Sequence, residues 1–294
     1  MKTTPPTTTP LTPGPLRRRP PVALTVAGTD SGGGAGVAAD LRTFAACGVW
    51  GTMAVTAVTA QSSLGVARVG PLAPELVRAQ IESVAGDMGV DALKTGMLGT
   101  GEVAHAVAEA VRDLALAPLV VDPVVESSSG HRLLDNDGLA VLRRELLPLA
   151  AVVTPNLAEA ALLAGVDPPG VERDGATARQ TVEALARAVL SLGPGAVLVT
   201  GGHLVEPGGA EGSPDSPDCL VVRGEEPLWI EGERIATSDT HGTGCVLSAA
   251  LTARLALGDD LPDAARAAKA VVSRALRCAV ALGAGPGSVD PLGL

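Results

Sequence analysis

Aromatic side chains are almost missing from this 294-residue chain: Phe44, Trp50 and Trp229 are the whole set, and tyrosine is absent. Three scattered rings cannot build the stacking platform that holds single-stranded nucleic acid. Lysine is as scarce, limited to Lys2, Lys94 and Lys269, and 32 acidic residues against 22 Lys and Arg leave a formal charge of −10. Without a basic stripe the chain is a poor partner for a polyanion, so nucleic-acid binding is not expected. No run of about 18 apolar residues occurs, and no membrane span is expected. The cysteines Cys47, Cys219, Cys245 and Cys278 are far apart with no CxxC spacing. In a chain long enough to bury a full core, that fits reduced thiols in a cytoplasm. His105, His131, His203 and His241 show no metal-ligand spacing, so zinc hydrolysis has no support.

What is present has a clear order. Residues 1–20 are Thr- and Pro-rich with little apolar content and are expected to be a disordered tail, followed by one domain over 21–294. Arg17-Arg18-Arg19 before the apolar run Val22–Gly28 imitates a signal peptide, but the run is short and has no small-residue cleavage site; it reads as a first strand. Further strand-like runs are Thr52–Ala60, Ala92–Met97, Leu119–Val125, Ala151–Thr154 and Ala196–Thr200. Between them Pro74–Asp87, Glu102–Leu116 and Ala178–Leu192 carry helical periodicity. The alternation predicts an α/β fold, a largely parallel central sheet with helices on both faces. After the Gly/Pro/Ser/Asp-rich stretch Glu206–Asp218, the runs Cys219–Arg223 and Pro227–Ile235 predict an antiparallel pair at a sheet edge. Helices over Gly242–Leu257 and Leu261–Leu282 close the chain. In such sheets ligands bind beyond the carboxyl ends of the strands.

The first strand ends in Gly28-Thr29-Asp30-Ser31-Gly32-Gly33-Gly34-Ala35-Gly36. Gly34-x-Gly36-x-x-Ala39 matches the dinucleotide fingerprint, which makes an NAD-dependent oxidoreductase a rival. That fingerprint also needs a carboxylate after the second strand, where Thr59-Ala60-Gln61 stands instead. A Walker A loop is excluded because no Gly-Lys pair occurs. Otherwise the glycines mean only close backbone approach, to a ligand or to the next helix. Thr240-His241-Gly242-Thr243-Gly244-Cys245 opens an apolar helix. Amides of Gly242, Thr243 and Gly244 at a helix N-terminus suit an anion, and the dipole there lowers the pKa of a thiol such as Cys245; the alternative is an ordinary cap with a small buried cysteine. Lys94 and Lys269 are candidate phosphate partners or, for Lys269, a solvated surface charge. Asp122 and Glu159 sit where a nucleotide-bound Mg²⁺ would use one or two carboxylates, although Asp122-Pro123 also suits a turn and Asn156–Glu159 a capping box. The Gln61 amide offers a donor and an acceptor in one plane, matching an aminopyrimidine edge.

Taken in order, Ala27-Gly28-Thr29-Asp30, Gly33–Gly36, Ala39-Asp40-Leu41-x-Thr43-Phe44, Thr59-Ala60-Gln61, Lys94-x-Gly96-Met97-Leu98, Asp122-Pro123-Val124, Ser129-Gly130, Thr154-Pro155-Asn156-x-x-Glu159-Ala160, Gly201-Gly202-His203 and Thr240–Cys245 resemble the hydroxymethylpyrimidine/phosphomethylpyrimidine kinases of thiamine biosynthesis, within the ribokinase-like superfamily. The resemblance spans about Val22–Leu282. It implies a ribokinase-like fold and transfer of the ATP γ-phosphoryl group to 4-amino-5-hydroxymethyl-2-methylpyrimidine, then to its monophosphate. It implies catalytic roles for His241, Gly242, Thr243, Gly244 and Cys245, and an acceptor pocket with Gly28, Asp40, Gln61 and Met97. ATP would be held by Asn156, Thr200, Gly202 and Lys269, and Mg²⁺ by Asp122 and Glu159. A cytoplasmic homodimer is expected. The family often has lysine where Ser128 and Thr200 stand, which implies a weaker second transfer, and Gly283–Leu294 departs from the usual ending. Pyridoxal kinase of the same superfamily is the alternative.

Overall fold

The structure is a computed structural model describing residues 19–127, 130–167, 175–201 and 216–293. The strands are β1 (Val22–Ala27), β2 (Trp50–Val55), β3 (Ala57–Ser62), β4 (Gly65–Pro71), β5 (Ala92–Thr95), β6 (Leu119–Val121), β7 (Val152–Val153), β8 (Ala196–Val199), β9 (Asp218–Val222) and β10 (Leu228–Ile230). The helices are α1 (Gly36–Ala46), α2 (Pro74–Asp87), α3 (Gly101–Asp113), α4 (Asn136–Val141), α5 (Leu157–Ala164), α6 (Gly175–Leu190), α7 (Thr243–Ala256) and α8 (Leu261–Arg277).

The main sheet has the order β10-β9-β8-β7-β6-β5-β1-β2. Strands β1, β2 and β5 to β8 are parallel, while β9 and β10 form the expected antiparallel edge. The parallel strands β1 and β5 to β8 are buried along their length because helices cover both faces, whereas β2 at the edge leaves Trp50 and Met53 exposed. Leu24, Leu93, Val121, Val153 and Val197 pack with α2, α3, α5 and α6. On the other face Val120, Val152 and Leu198 pack with α7 and α8, and Phe44 of α1 joins Ala23, Ala249 and Ala253. The chain leaves β1 for β2 on one side and returns to β5 on the other, so the ligand-binding crevice of such sheets falls at the carboxyl end of β1 and β5.

The strands read over Leu119–Val125 and Pro227–Ile235 are shorter, Leu119–Val121 and Leu228–Ile230, and two larger differences bear on the site. Thr52–Ala60 is not one strand. It breaks at Thr56, whose N–H donates to Ala27 O (3.0 Å), whose hydroxyl donates to Met97 O (2.6 Å) and whose carbonyl accepts from Leu72 N (2.8 Å). Beyond that residue β3 leaves the main sheet and pairs with β4 as a separate antiparallel hairpin, with a register irregularity at Ala60–Gln61. The last helix stops at Arg277 instead of Leu282. Val280 then exchanges two backbone hydrogen bonds with Ser288, at 2.9 and 3.0 Å, closing a loop. At the other terminus Arg19 pairs with Asp91 at 3.1 Å, so chain assigned to the tail is held against the domain from that residue.

Candidate active site

The glycine loop is organised from within by Asp30. Its Oδ1 accepts Gly32 N (2.8 Å), and its Oδ2 accepts Gly34 N (3.1 Å) and Ala35 N (2.9 Å) and lies 2.9 Å from His241 Nε2. Burial opposes the charge of Asp30, but the His241 contact and the loop amides outweigh it and hold the carboxyl below its ordinary value. The amides that a pyrophosphate would need in a dinucleotide site are therefore occupied, which removes the oxidoreductase rival. The second glycine loop packs directly on the first. Gly242 has φ +87°, and a Cβ there would collide with the Gly34 carbonyl, so the entry to α7 is restricted to glycine on both counts.

At that entry no side chain caps the helix and its first turn has no acidic residue. Thr243 differs from expectation: its amide donates to Thr240 O at 3.2 Å and its hydroxyl to the same oxygen at 2.6 Å. The amides of Gly242, Gly244 and Cys245 make no hydrogen bond among the described residues, so Cys245 replaces Thr243 in the outward-facing set. Unpaired amides at a helix start, with the helix dipole behind them, are suited to an anion. The Cys245 thiol also corrects the expectation. Burial pushes it up to about 12 and the neighbouring Asp40 and Asp122 add to this, against the opposing effects of Lys94 and a hydrogen bond from the Gly36 amide. It is a neutral thiol at physiological pH.

Beneath Cys245 lies a fully buried charge cluster. Lys94 Nζ is 3.0 Å from both oxygens of Asp40 and 3.8 Å from Asp122 Oδ2. Thr25 donates to Asp40 Oδ2 (2.6 Å), and Ser248 donates to Asp122 Oδ2 (2.9 Å). Burial works against the ammonium, yet Asp40 and Asp122 hold its pKa above the ordinary value. Asp40, expected on the pocket wall, has no exposed surface and both oxygens committed; it supports Lys94 from below. Lys94 is likewise closed to a phosphate.

Asp122, at the end of β6, faces Glu159 in the first turn of α5. The alternative reading of Asn156–Glu159 is realised: Asn156 Oδ1 accepts Glu159 N and Glu159 Oε2 accepts Asn156 N, both at 2.9 Å. Burial, then the charge of Asp122, raises the Glu159 carboxyl to about 8. Two crowded hard-oxygen groups fit a Mg²⁺ that takes few protein ligands. Among the described residues no group of three or more His, Cys, Asp or Glu gathers to hold a metal alone. Thr200 bridges to Asn156 and donates to Pro155 O at 3.0 Å. Lys269 reaches the same end of the sheet, where its Nζ binds Asp218 Oδ1 (2.9 Å) and Ser216 O (2.5 Å), while Asp218 also accepts Gly201 N at 2.9 Å. Its charge is thus shared, neither solvated nor isolated. It borders a cavity of about 330 Å³ lined by Trp229, Gly232 and Arg266.

On the acceptor side, Gly28 donates to Met97 O (3.1 Å), and the Met97 sulfur lies against the Gly28 α-carbon. Gln61 is tied through its backbone: its N–H donates to Ser31 Oγ, which donates back to Gln61 O, both at 2.8 Å. The side-chain amide has no partner among the described residues. Consecutive residues Asp30 and Ser31 therefore hold His241 and Gln61, so the structure brings the anion loop and Gln61 onto one support. A second cavity of about 480 Å³ lies between the hairpin and the Gly130-His131 segment.

A sequence model of the phosphomethylpyrimidine kinase family matches residues 30–290. A hydroxymethylpyrimidine/phosphomethylpyrimidine kinase of Synechococcus elongatus is 47% identical over 273 residues, 93% of this chain and 97% of the relative. The chain belongs to the phosphomethylpyrimidine kinase family. Among solved structures, an ADP complex of Bacillus subtilis pyridoxal kinase has a TM-score of 0.81 at 34% identity, covering 92% of this chain and 97% of that one. The phosphomethylpyrimidine kinase of Clostridium difficile 630 has a TM-score of 0.71, also at 34% identity, covering 87% and 99%.

The kinase is thus a phosphotransferase with a ribokinase-like architecture. The motifs assign no role to Asp30, Ser31 or Ser248. The signal for Asp30 was available: Asp followed two residues later by Gly is the pattern of a carboxylate folding back on its own loop. Ser128, Ser129, Gly202, His203 and positions 204–215 lie outside the described residues.

Proposed function

We propose that this kinase uses ATP to phosphorylate 4-amino-5-hydroxymethyl-2-methylpyrimidine and then its monophosphate, in thiamine diphosphate biosynthesis. The observation that carries this reading is the junction at Asp30 and Ser31, which couples an anion-binding helix start to a planar amide suited to an aminopyrimidine edge. Phosphoryl transfer depends on alignment and charge stabilisation. Amides of Gly242, Gly244 and Cys245 hold the moving phosphoryl group, and the nucleotide is assigned to Lys269, Asn156, Thr200 and Gly202. Asp122 and Glu159 would hold Mg²⁺, which would supply charge neutralisation to bound ATP. The neutral Cys245 thiol orients the acceptor hydroxyl, whose proton leaves late because a loose transition state requires little base. Gly28 and Met97 give the heterocycle an apolar wall, and Gln61 reads its polar edge.

The same reading expects a cytoplasmic homodimer. A second reading, pyridoxal kinase, is favoured by the Staphylococcus aureus pyridoxal kinase solved with AMP-PCP and pyridoxal, which has a TM-score of 0.79 at 30% identity and covers 92% of this chain and 93% of that one. ATP consumption with Mg²⁺, measured separately on the pyrimidine, its monophosphate, pyridoxal and hydroxyethylthiazole, decides between them. Turnover of both pyrimidines is expected. Fast pyridoxal turnover with neither pyrimidine used would overturn the reading.

A further inference from the structure

We infer that the C-terminal loop Val280–Ser288 is a positioning element of the acceptor site, fixing the β3–β4 hairpin relative to the anion loop. This rests on the reading that Gln61 faces the acceptor. The base of the loop is fastened to the anion loop: His241 N donates to Gly287 O (3.2 Å), Val289 N donates to His241 O (3.1 Å), and Gly287 N donates to Asp239 Oδ1 (2.7 Å). The Ser288 side chain stands against Gly34, so the glycine loop is held as well. The opposite end of the loop meets the hairpin turn two residues beyond Gln61, where Gly285 N donates to Ser63 Oγ at 3.2 Å.

The approach leaves no spare room. A Cβ on Gly285 would run into the Ser63 carbonyl and then the Leu64 amide, backbone atoms that cannot step aside without moving the turn. Val280 and Ser288 clamp the two ends of the loop together, so the loop passes a displacement to the hairpin instead of absorbing it. This span thus adds a second brace, at the turn, to the Thr29 and Ser31 bonds that hold β3 near its middle, and misplacement of a reactant by about 1 Å is costly to transfer.

The test uses the full chain carrying Gly285→Ala, with Ser63→Ala as a second variant that removes the side-chain contact and adds no bulk. For Gly285→Ala the KM for the pyrimidine rises about tenfold while the KM for ATP stays within about twofold. Amide exchange over residues 57–71 accelerates. Ser63→Ala gives a smaller change in the same direction, and decides the matter if the first variant does not fold. Wild-type pyrimidine KM and wild-type hairpin exchange would overturn the inference, as would a rise in both KM values together. Should the wild-type enzyme use no pyrimidine, the functional reading falls and the exchange result still judges the loop.

Discussion

His241 Nε2 and Asp30 Oδ2 are 2.9 Å apart although 211 residues separate them in the chain. One carboxylate therefore ties the start of α7 to a loop whose own amides it already accepts. The two glycine loops behave as one body. An anion bound at the amides of Gly242, Gly244 and Cys245 would be located by the same side chain that shapes residues 30–35.

Asp30→Asn keeps the size and removes the charge, leaving one acceptor oxygen for a ring nitrogen and three amides. We expect kcat to fall about 10²-fold, as for loss of precise reactant placement. Because the folded pKa is depressed, Asp30 adds stability above its unfolded pKa of about 3.9, and that stability is lost as pH falls through the lower folded value. Acid unfolding followed by circular dichroism should lose this component in the variant; an unchanged kcat would separate the His241 contact from catalysis.

Cys245 is expected to resist alkylation by iodoacetamide below pH about 9, since only the thiolate reacts and burial pushes the thiol up to about 12. Cys245→Ala should lower kcat about 10²-fold if the thiol handles or orients the hydroxyl proton. An unchanged kcat would reduce it to packing.

Glu159 gives a test in the absence of substrate. Its folded pKa of about 8 lies above the ordinary glutamate value of about 4.3, so between those values the folded state binds more protons than the unfolded one. Stability in chelator should therefore decline as pH rises from about 4.3 toward 8. Glu159→Gln should flatten that decline and weaken stabilisation by Mg²⁺, both read as Tm against pH. A wild-type slope in the variant would move the effect elsewhere.

Lys94→Met leaves Asp40 buried without its cation and should cost about 3–5 kcal/mol in urea unfolding. Adding Asp40→Leu removes the orphaned charge and should recover part of that loss. If the double variant is as unstable as the single one, the pair is not the dominant interaction.

The parallel sheet was legible because six of its strands are apolar runs bounded by turns or helices, and the edge hairpin because the pattern changes after residue 218. Thr56 was not legible. Ala-Val-Thr-Ala-Val-Thr has no glycine or proline at the break, and only the tertiary partners Ala27, Met97 and Leu72 bend it there. Candidate residues at strand ends were found because ligands bind there, whereas the burial of Lys94 and Asp40 depends on which helix covers them. The helix-start argument for a low Cys245 pKa failed for a related reason: burial and two carboxylates outweigh a dipole.

Strand β3 is fastened along its length, by Thr56 at its root, by Thr59 to Thr29, by Gln61 to Ser31 and by Ser63 at the turn. The irregular step at Ala60–Gln61 therefore lies between fixed points. If Gln61 reads the heterocycle, its backbone cannot shift without carrying the first glycine loop with it, and selectivity between pyrimidine and pyridine falls to the swing of one side chain against a rigid frame.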